Sequence, residues 1–209
     1  NLAIVGPTGS GKTSLINLLT RFYHADSGSI LVNGQAIDQL DLQDLRSRMA
    51  LVMQDPFLFS FSVRDNIQQG NEYLSDQELQ AVLDAAKCRD LVQRLPQGWD
   101  TVLSEGGSSL STGEQQLISI ARAMSREPEL IILDEATSSV DSQTERKIQQ
   151  ALGQLMKGRT SLTIAHRMST ARNADRILVL HKGKLMEQGS HEQLMRKKGL
   201  YYKLNQIQV

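Results

Sequence analysis

The chain is short of most features that hold a protein together or tether it by simple means. One cysteine in 209 residues, Cys88, leaves no internal disulfide possible, and it reads as a small buried hydrophobe on a helix. Aromatic residues make up only 4% of the chain, and the single tryptophan, Trp99, reads as a packing anchor. Lysine plus arginine equals aspartate plus glutamate at 23 each, so the formal net charge is zero. That excludes a basic field for nucleic acid and a cationic tail for a membrane surface. No apolar run reaches the ~20 residues that cross a bilayer, and no signal-peptide pattern is present. His24 and His181 read as residues of polar turns, and His191-Glu192 lacks the second histidine of a zinc-binding H-E-x-x-H. The chain opens at Asn1 directly in a strand, as expected of a piece of something longer.

What is present centres on Gly6-Pro7-Thr8-Gly9-Ser10-Gly11-Lys12-Thr13, which matches G-x-x-x-x-G-K-[ST]. The apolar run Leu2–Val5 before it reads as a buried strand. After it, Leu15, Leu18, Leu19 and Phe22 share one face of a helix. Glycines let the backbone curl so that several N–H groups converge on one phosphate, and the helix N-terminus adds partial positive charge. Lys12 supplies a full charge for β- and γ-phosphates, and Thr13 a hydroxyl for Mg²⁺.

Further along, Ser29–Val32 reads as a strand leading into an Asn33-Gly34 turn, with Ile37 on the return strand. Asp41–Arg46 reads as a short helix and Met49–Met53 as a buried strand ending on Gln54. From Ser62 to about Leu95 the pattern is helical. Capping boxes are expected at Ser75/Glu78, Ser111/Glu114, Ser142/Glu145 and Ser190/Gln193. Leu130–Leu133 and Ser161–Ala165 are apolar strands, followed by Asp134-Glu135 and by His166. Ile177–Leu180, a Lys182-Gly183 turn and Lys184–Glu187 complete the pattern. Strands alternating with helices predict an α/β fold with a mainly parallel sheet. The expected division is a nucleotide-binding α/β core over residues 1–61 and 126–209, with an inserted α-helical subdomain over 62–125.

Such a sheet places ligands at the C-terminal edge of its strands. Asp134 there can hold Mg²⁺ beside Thr13, and Glu135 can act as general base on the attacking water. Gln54 can join the Mg²⁺ and water shell, and His166 can reach the γ-phosphate.

In this order the motifs resemble the nucleotide-binding domain of ABC transporters over essentially the whole chain. Gly6–Thr13 resembles the family's Walker A loop, Gln54 its Q-loop and Leu110–Gln116 its signature. Leu130–Glu135 resembles Walker B, Ser138-Ser139-Val140-Asp141 the D-loop, and His166 the switch histidine. The resemblance implies a P-loop, RecA-like core whose N-terminal antiparallel β part lies outside this stretch, together with the adenine-stacking aromatic. It implies ATP and Mg²⁺ as cofactors. Gly6, Pro7, Thr8, Gly9, Ser10, Gly11, Lys12, Thr13, Ser14 and Gln54 would bind them from one side. Ser111, Gly113, Glu114 and Asp141 would serve the nucleotide of a second nucleotide-binding domain, in a head-to-tail homo- or heterodimer.

Thr101–Gly107 and Phe57–Phe59 with Val63–Ile67 resemble exporter sequences, in the region that receives the coupling helices of a transmembrane domain. The resemblance therefore implies an ATPase at the cytoplasmic face of a membrane that powers export. The alternatives are an importer-type subunit, or a soluble family member acting on ribosomes or DNA. Against the latter stand the neutral charge and the absence of a second such domain or a long coiled coil in this stretch.

The signature departs from the family's L-S-G-G-Q at Thr112 and Glu114, which suggests one weakened site in a heterodimer. A carboxylate at Glu114, roughly 6 Å from a γ-phosphate at an effective dielectric near 20, costs about 3 kcal/mol before screening. Alternatively Glu114 turns back to cap the N–H of Ser111. The residues alone leave both open.

Overall fold

The computed structural model describes residues 1–69, 74–134, 140–165 and 168–207. In chain order the elements are β1 (Leu2–Val5), α1 (Lys12–Leu19), β2 (Leu31–Val32), β3 (Gln35–Ala36), α2 (Leu42–Ser47), β4 (Met49–Val52), α3 (Val63–Gln68), α4 (Asp76–Ala85), α5 (Arg89–Arg94), α6 (Thr112–Ser125), β5 (Leu130–Asp134), α7 (Ser142–Met156), β6 (Thr160–Ile164), α8 (Met168–Arg172), β7 (Arg176–His181), β8 (Lys184–Gly189), α9 (His191–Lys197) and α10 (Leu200–Ile207). Six strands form one sheet in the order β4-β5-β6-β1-β7-β8. The fold is therefore the mainly parallel α/β sheet that the alternating pattern predicts.

Contacts divide the chain into two units. The first comprises residues 1–49, 132–135 and 160–209. Here β1 lies between β6 and β7, parallel to both, with Leu2 opposite Leu162 and Arg176. Strands of a parallel sheet have their faces covered by the crossover helices, and Ala3, Ile4 and Val5 are accordingly closed to solvent. Ala3, Val5, Ile177 and Val179 pack with Met168, Ala171, Leu194 and Tyr201 as the core of this unit. The Glu187 carboxylate accepts from the N–H groups of Leu200 and Tyr201, closing the start of α10. The Tyr201 hydroxyl meets Nδ1 of His191 at 2.8 Å.

Several local details differ from the sequence reading. The helix α1 stops at Leu19, and Phe22 lies beyond it, 60% exposed beneath the Arg46 guanidinium. Its buried face centres on Ile16, because Lys12 takes the other inward position. The return strand after Asn33-Gly34 is Gln35–Ala36, whereas Ile37 opens a 3₁₀ turn and buries its side chain. His181 is the last residue of β7, with Nδ1 buried, rather than part of a polar turn.

The second unit comprises residues 50–131 and 136–159. The helix α6 runs through it with Leu117, Ile118, Ile120 and Ala121 buried. Each nitrogen of its partly buried arginine is used: Arg122 donates from Nε to the carbonyl of Asn66, from Nη1 to that of Phe57 and from Nη2 to Oδ1 of Asn66, at 2.8–2.9 Å. Burial is the larger reason, and nearby Arg126 the smaller, that its pKa falls to about 10. Asn66, itself closed to solvent, returns bonds to the backbone of Phe59. Capping boxes form at Ser75/Glu78, Ser111/Glu114 and Ser190/Gln193 as expected. At α7 the cap is instead Asp141, whose Oδ1 accepts from the N–H groups of Gln143 and Thr144. A carboxylate spans both donors where the Ser142 hydroxyl, one residue too far along, reaches neither. Cys88 is buried as read, and loss of hydration pushes its thiol up to about 12.

Candidate functional site

The Gly6–Thr13 loop joins the buried end of β1 to the first turn of α1, so sheet and helix N-terminus both aim at it. Gly6 has no room for a side chain: a Cβ there would lie 2.2 Å from the Leu180 carbonyl oxygen. Gly11 caps α1 at φ +101, a left-handed conformation that glycine adopts without strain. Lys12 is 7% exposed and folds back on the loop, its Nζ donating to the carbonyls of Gly6 at 2.8 Å and Pro7 at 3.2 Å. Burial lowers its pKa, and the Asp134 carboxylate at the end of β5 partly restores it. Thr13 and Ser14 are exposed on the first turn of α1, and the Ser10 hydroxyl is buried without a hydrogen-bond partner. These residues all belong to the first unit. Its chemistry is that of an anion site, with a buried cation, a glycine loop and a helix N-terminus at one place.

Glu135, His166 and the Ser138-Ser139 pair of the D-loop lie outside the described residues. Gln54 follows β4 in the second unit and is exposed. Ser111, Gly113 and Glu114 open α6 in that same unit, beside Val140 and Asp141. Gly113 is the packing point between them: a Cβ there would lie 2.5 Å from Cγ2 of Thr144 and 2.7 Å from Cγ1 of Val140. The glycine thus lets the starts of α6 and α7 approach side by side, a reason for its presence that chain spacing does not reveal.

Glu114 takes the second of the two positions left open. Its Oε2 accepts from the Ser111 N–H and hydroxyl, both at 2.9 Å, while Oε1 receives Nη2 of Arg94 at 2.9 Å. Burial pushes the Glu114 carboxyl up. The Ser111 N–H and hydroxyl together with the Arg94 guanidinium outweigh that and hold it below the ordinary range. A depressed carboxyl stabilises above its unfolded pKa, and the contribution is lost as pH falls through the lower, folded value. Arg94→Ala should therefore raise the folded-state pKa of Glu114, lower stability at neutral pH and shrink the stability lost on acidification, the variant converging on the unaltered protein at low pH. Because Arg94 is 69% exposed, the pair should be worth at most about 1 kcal/mol at neutral pH. Denaturant unfolding at stepped pH measures both. No sequence signal pairs Arg94 with Glu114, since it stands 20 positions away at the end of α5.

A mainly parallel sheet whose first strand feeds a glycine loop, a buried lysine and a helix N-terminus defines a P-loop nucleoside-triphosphate-binding domain. The family model for ABC transporters matches residues 1–138, and the chain belongs to that family. Its sequence is 49% identical over 207 residues to the ATP-dependent lipid A-core flippase of Syntrophus aciditrophicus (strain SB), covering 99% of this chain and 34% of that protein. It is 47% identical over 207 residues to the probable multidrug resistance ABC transporter ATP-binding/permease protein YheH of Bacillus subtilis (strain 168), covering 99% and 31%. The solved structure of a bacterial Atm1-family ABC exporter with ATP bound matches with a TM-score of 0.92 and 41% identity, over 100% of this chain and 36% of that one. The chain thus spans about a third of the length of these relatives.

Proposed function

We propose that this domain binds and hydrolyses ATP to power export across a membrane, working at the cytoplasmic face within an ABC transporter. The observation that carries the reading is the buried Lys12, held on the loop's own carbonyls and sensing Asp134. In this reading Gly6 and Pro7 shape the loop, and its N–H groups from Thr8 to Ser14 hold the β- and γ-phosphates together with Lys12. Mg²⁺ fits the donors present. Among the described residues no group of three or more His, Cys, Asp or Glu is placed to hold a metal. In this reading the ion would rest on the Thr13 hydroxyl and Asp134, joined by Gln54, with phosphate oxygens and water completing its shell, as this cation prefers. Glu135 accepts the proton of the attacking water, and His166 and Gln54 orient it.

Residues 62–125 form the inserted helical subdomain in this reading. Ser111, Gly113 and Glu114 at its last helix, with Asp141, face the nucleotide of a second nucleotide-binding domain. The capped Glu114 turns its charge toward Ser111 and Arg94, which favours a signature that still accepts a phosphate. Phe57, Phe59 and Phe61 suit a transmembrane partner. They are exposed, at 58%, 36% and 52%; Phe57 meets Phe59 edge-to-face with ring centroids 5.0 Å apart, and Phe59 stacks on Phe61 at 5.8 Å. Unpartnered aromatic surface of this kind marks an interaction site.

The test is phosphate release by the purified full-length protein in lipid vesicles. Hydrolysis should require a divalent cation and rise sigmoidally with ATP concentration. ATP binding without any release would leave a regulatory nucleotide site in place of a motor.

A further inference from the structure

The nucleotide loop does not stand on β1 and α1 alone; a second segment of the same unit holds it from behind. β1 and β7 run paired as far as Val5 opposite Val179. The β7–β8 ladder is then interrupted by a register shift between Val179 and Leu180. Such a bulge re-aims the backbone, and here the Leu180 carbonyl comes to lie against Gly6, where a Cβ would be 2.2 Å away. The hairpin turn follows, with Lys182 at φ +48 and Gly183 at φ +74. Positive φ at both central residues is the tight-turn geometry that suits twisted strands. From that turn the Gly183 N–H donates to the carbonyl of Ser10 at 3.0 Å. Gly183 also approaches Gly11 so closely that a Cβ there would be 3.5 Å from its Cα.

One consequence follows from peptide geometry. The chain has no cis peptide bonds among its described residues, and in a planar trans peptide the C=O and the following N–H point in opposite directions. Fixing the Ser10 carbonyl on Gly183 therefore turns the Gly11 N–H away from the hairpin. We propose that the β7–β8 turn is a positioning element of the nucleotide site: Gly183 sets the Ser10–Gly11 peptide so that the Gly11 N–H faces the phosphates, while the Leu180 carbonyl backs the loop at Gly6. This rests on the nucleotide-binding reading above. Gly183 itself touches no phosphate; it acts through the loop. A distant turn, some 170 residues along the chain, thereby shares in setting ATP affinity.

The test compares Gly183→Val with Gly183→Asn in the full-length protein, reading KM for ATP, kcat and thermal midpoint together. A β-branched residue cannot hold φ near +74, so the valine variant must re-form the turn and displace its N–H. KM for ATP should rise roughly five- to tenfold, the worth of one oriented hydrogen bond, with kcat changing less. Asparagine tolerates positive φ and keeps the N–H, so Gly183→Asn should recover most of the lost affinity. A folded valine variant with the KM of the unaltered protein would overturn the proposal.

Hydrogen exchange in the unaltered protein provides a readout that does not depend on the variants folding. ATP should slow exchange of the amides in residues 180–184 about tenfold, as one tenfold shift in an opening equilibrium. Unchanged exchange at saturating ATP would also overturn the proposal. Absence of ATP binding in the unaltered protein would instead remove the nucleotide reading, and the turn's role with it.

Discussion

Glu135→Gln is expected to lower ATP turnover by about a thousandfold while leaving ATP binding intact. Glutamine matches the shape of glutamate and can still orient a water, but it cannot accept that water's proton. General-base catalysis contributes on the order of 10²–10⁴ in rate, which sets the size of the loss. Binding should survive because the phosphates rest on Lys12 and the loop. The consequence should be an ATP-held dimer that accumulates and is visible by size-exclusion chromatography. Phosphate release measures the first effect and retention of labelled ATP the second. Residual turnover within tenfold of the unaltered protein would show that another group takes the proton.

Lys12→Met should act on the opposite side of that balance, removing binding as well as turnover. The Lys12 stem is buried, so methionine keeps much of its packing. What disappears is the ammonium group that bonds the carbonyls of Gly6 and Pro7 and senses Asp134. Burial already lowers the pKa of that group, and a triphosphate arriving beside it would favour the charged form. Lysine and phosphate therefore reinforce one another. Charge-assisted hydrogen bonds of this kind are worth about 1.5–3 kcal/mol each, so affinity for ATP should fall roughly 10- to 100-fold. Titration with a fluorescent ATP analogue, alongside a thermal midpoint, separates this from unfolding. Unaltered affinity in a folded variant would refute the assignment of Lys12.

The reach of the sequence follows the range of the interactions involved. Strand β1, the loop and α1 are contiguous, and their chemistry is local: an apolar run, glycines where the backbone curls, and a lysine at the helix start. Three capping boxes were legible for the same reason, since donor and acceptor lie three residues apart. The cap at α7 was misplaced by one residue because Asp141 and Ser142 both qualify and only geometry chooses between them. Helical spacing carries Phe22 onto the face of Leu15, Leu18 and Leu19, but α1 ends at Leu19, before it.

What stayed out of reach is set across the fold. The pairing of Arg94 with Glu114, the packing of Gly113 on Val140 and Thr144, and the bond from Gly183 to Ser10 each join segments that no spacing rule connects. For Glu114 the residues left two positions open, and the contact with Arg94 favours one. Glu135 and His166 were read from strand ends and the family resemblance, and their roles stand as proposals.

Cys88 has a practical consequence for all of these measurements. Its thiol is closed to solvent and burial pushes it up to about 12, so at neutral pH the reactive thiolate is scarce. Toward maleimide and similar reagents this stretch of chain behaves as though it had no cysteine. A probe placed at an engineered cysteine on an exposed position away from the signature, such as Gln149, would carry the only label in this stretch. Spectroscopic distances between two copies of the domain, with and without ATP, can then be recorded with Cys88 left in place.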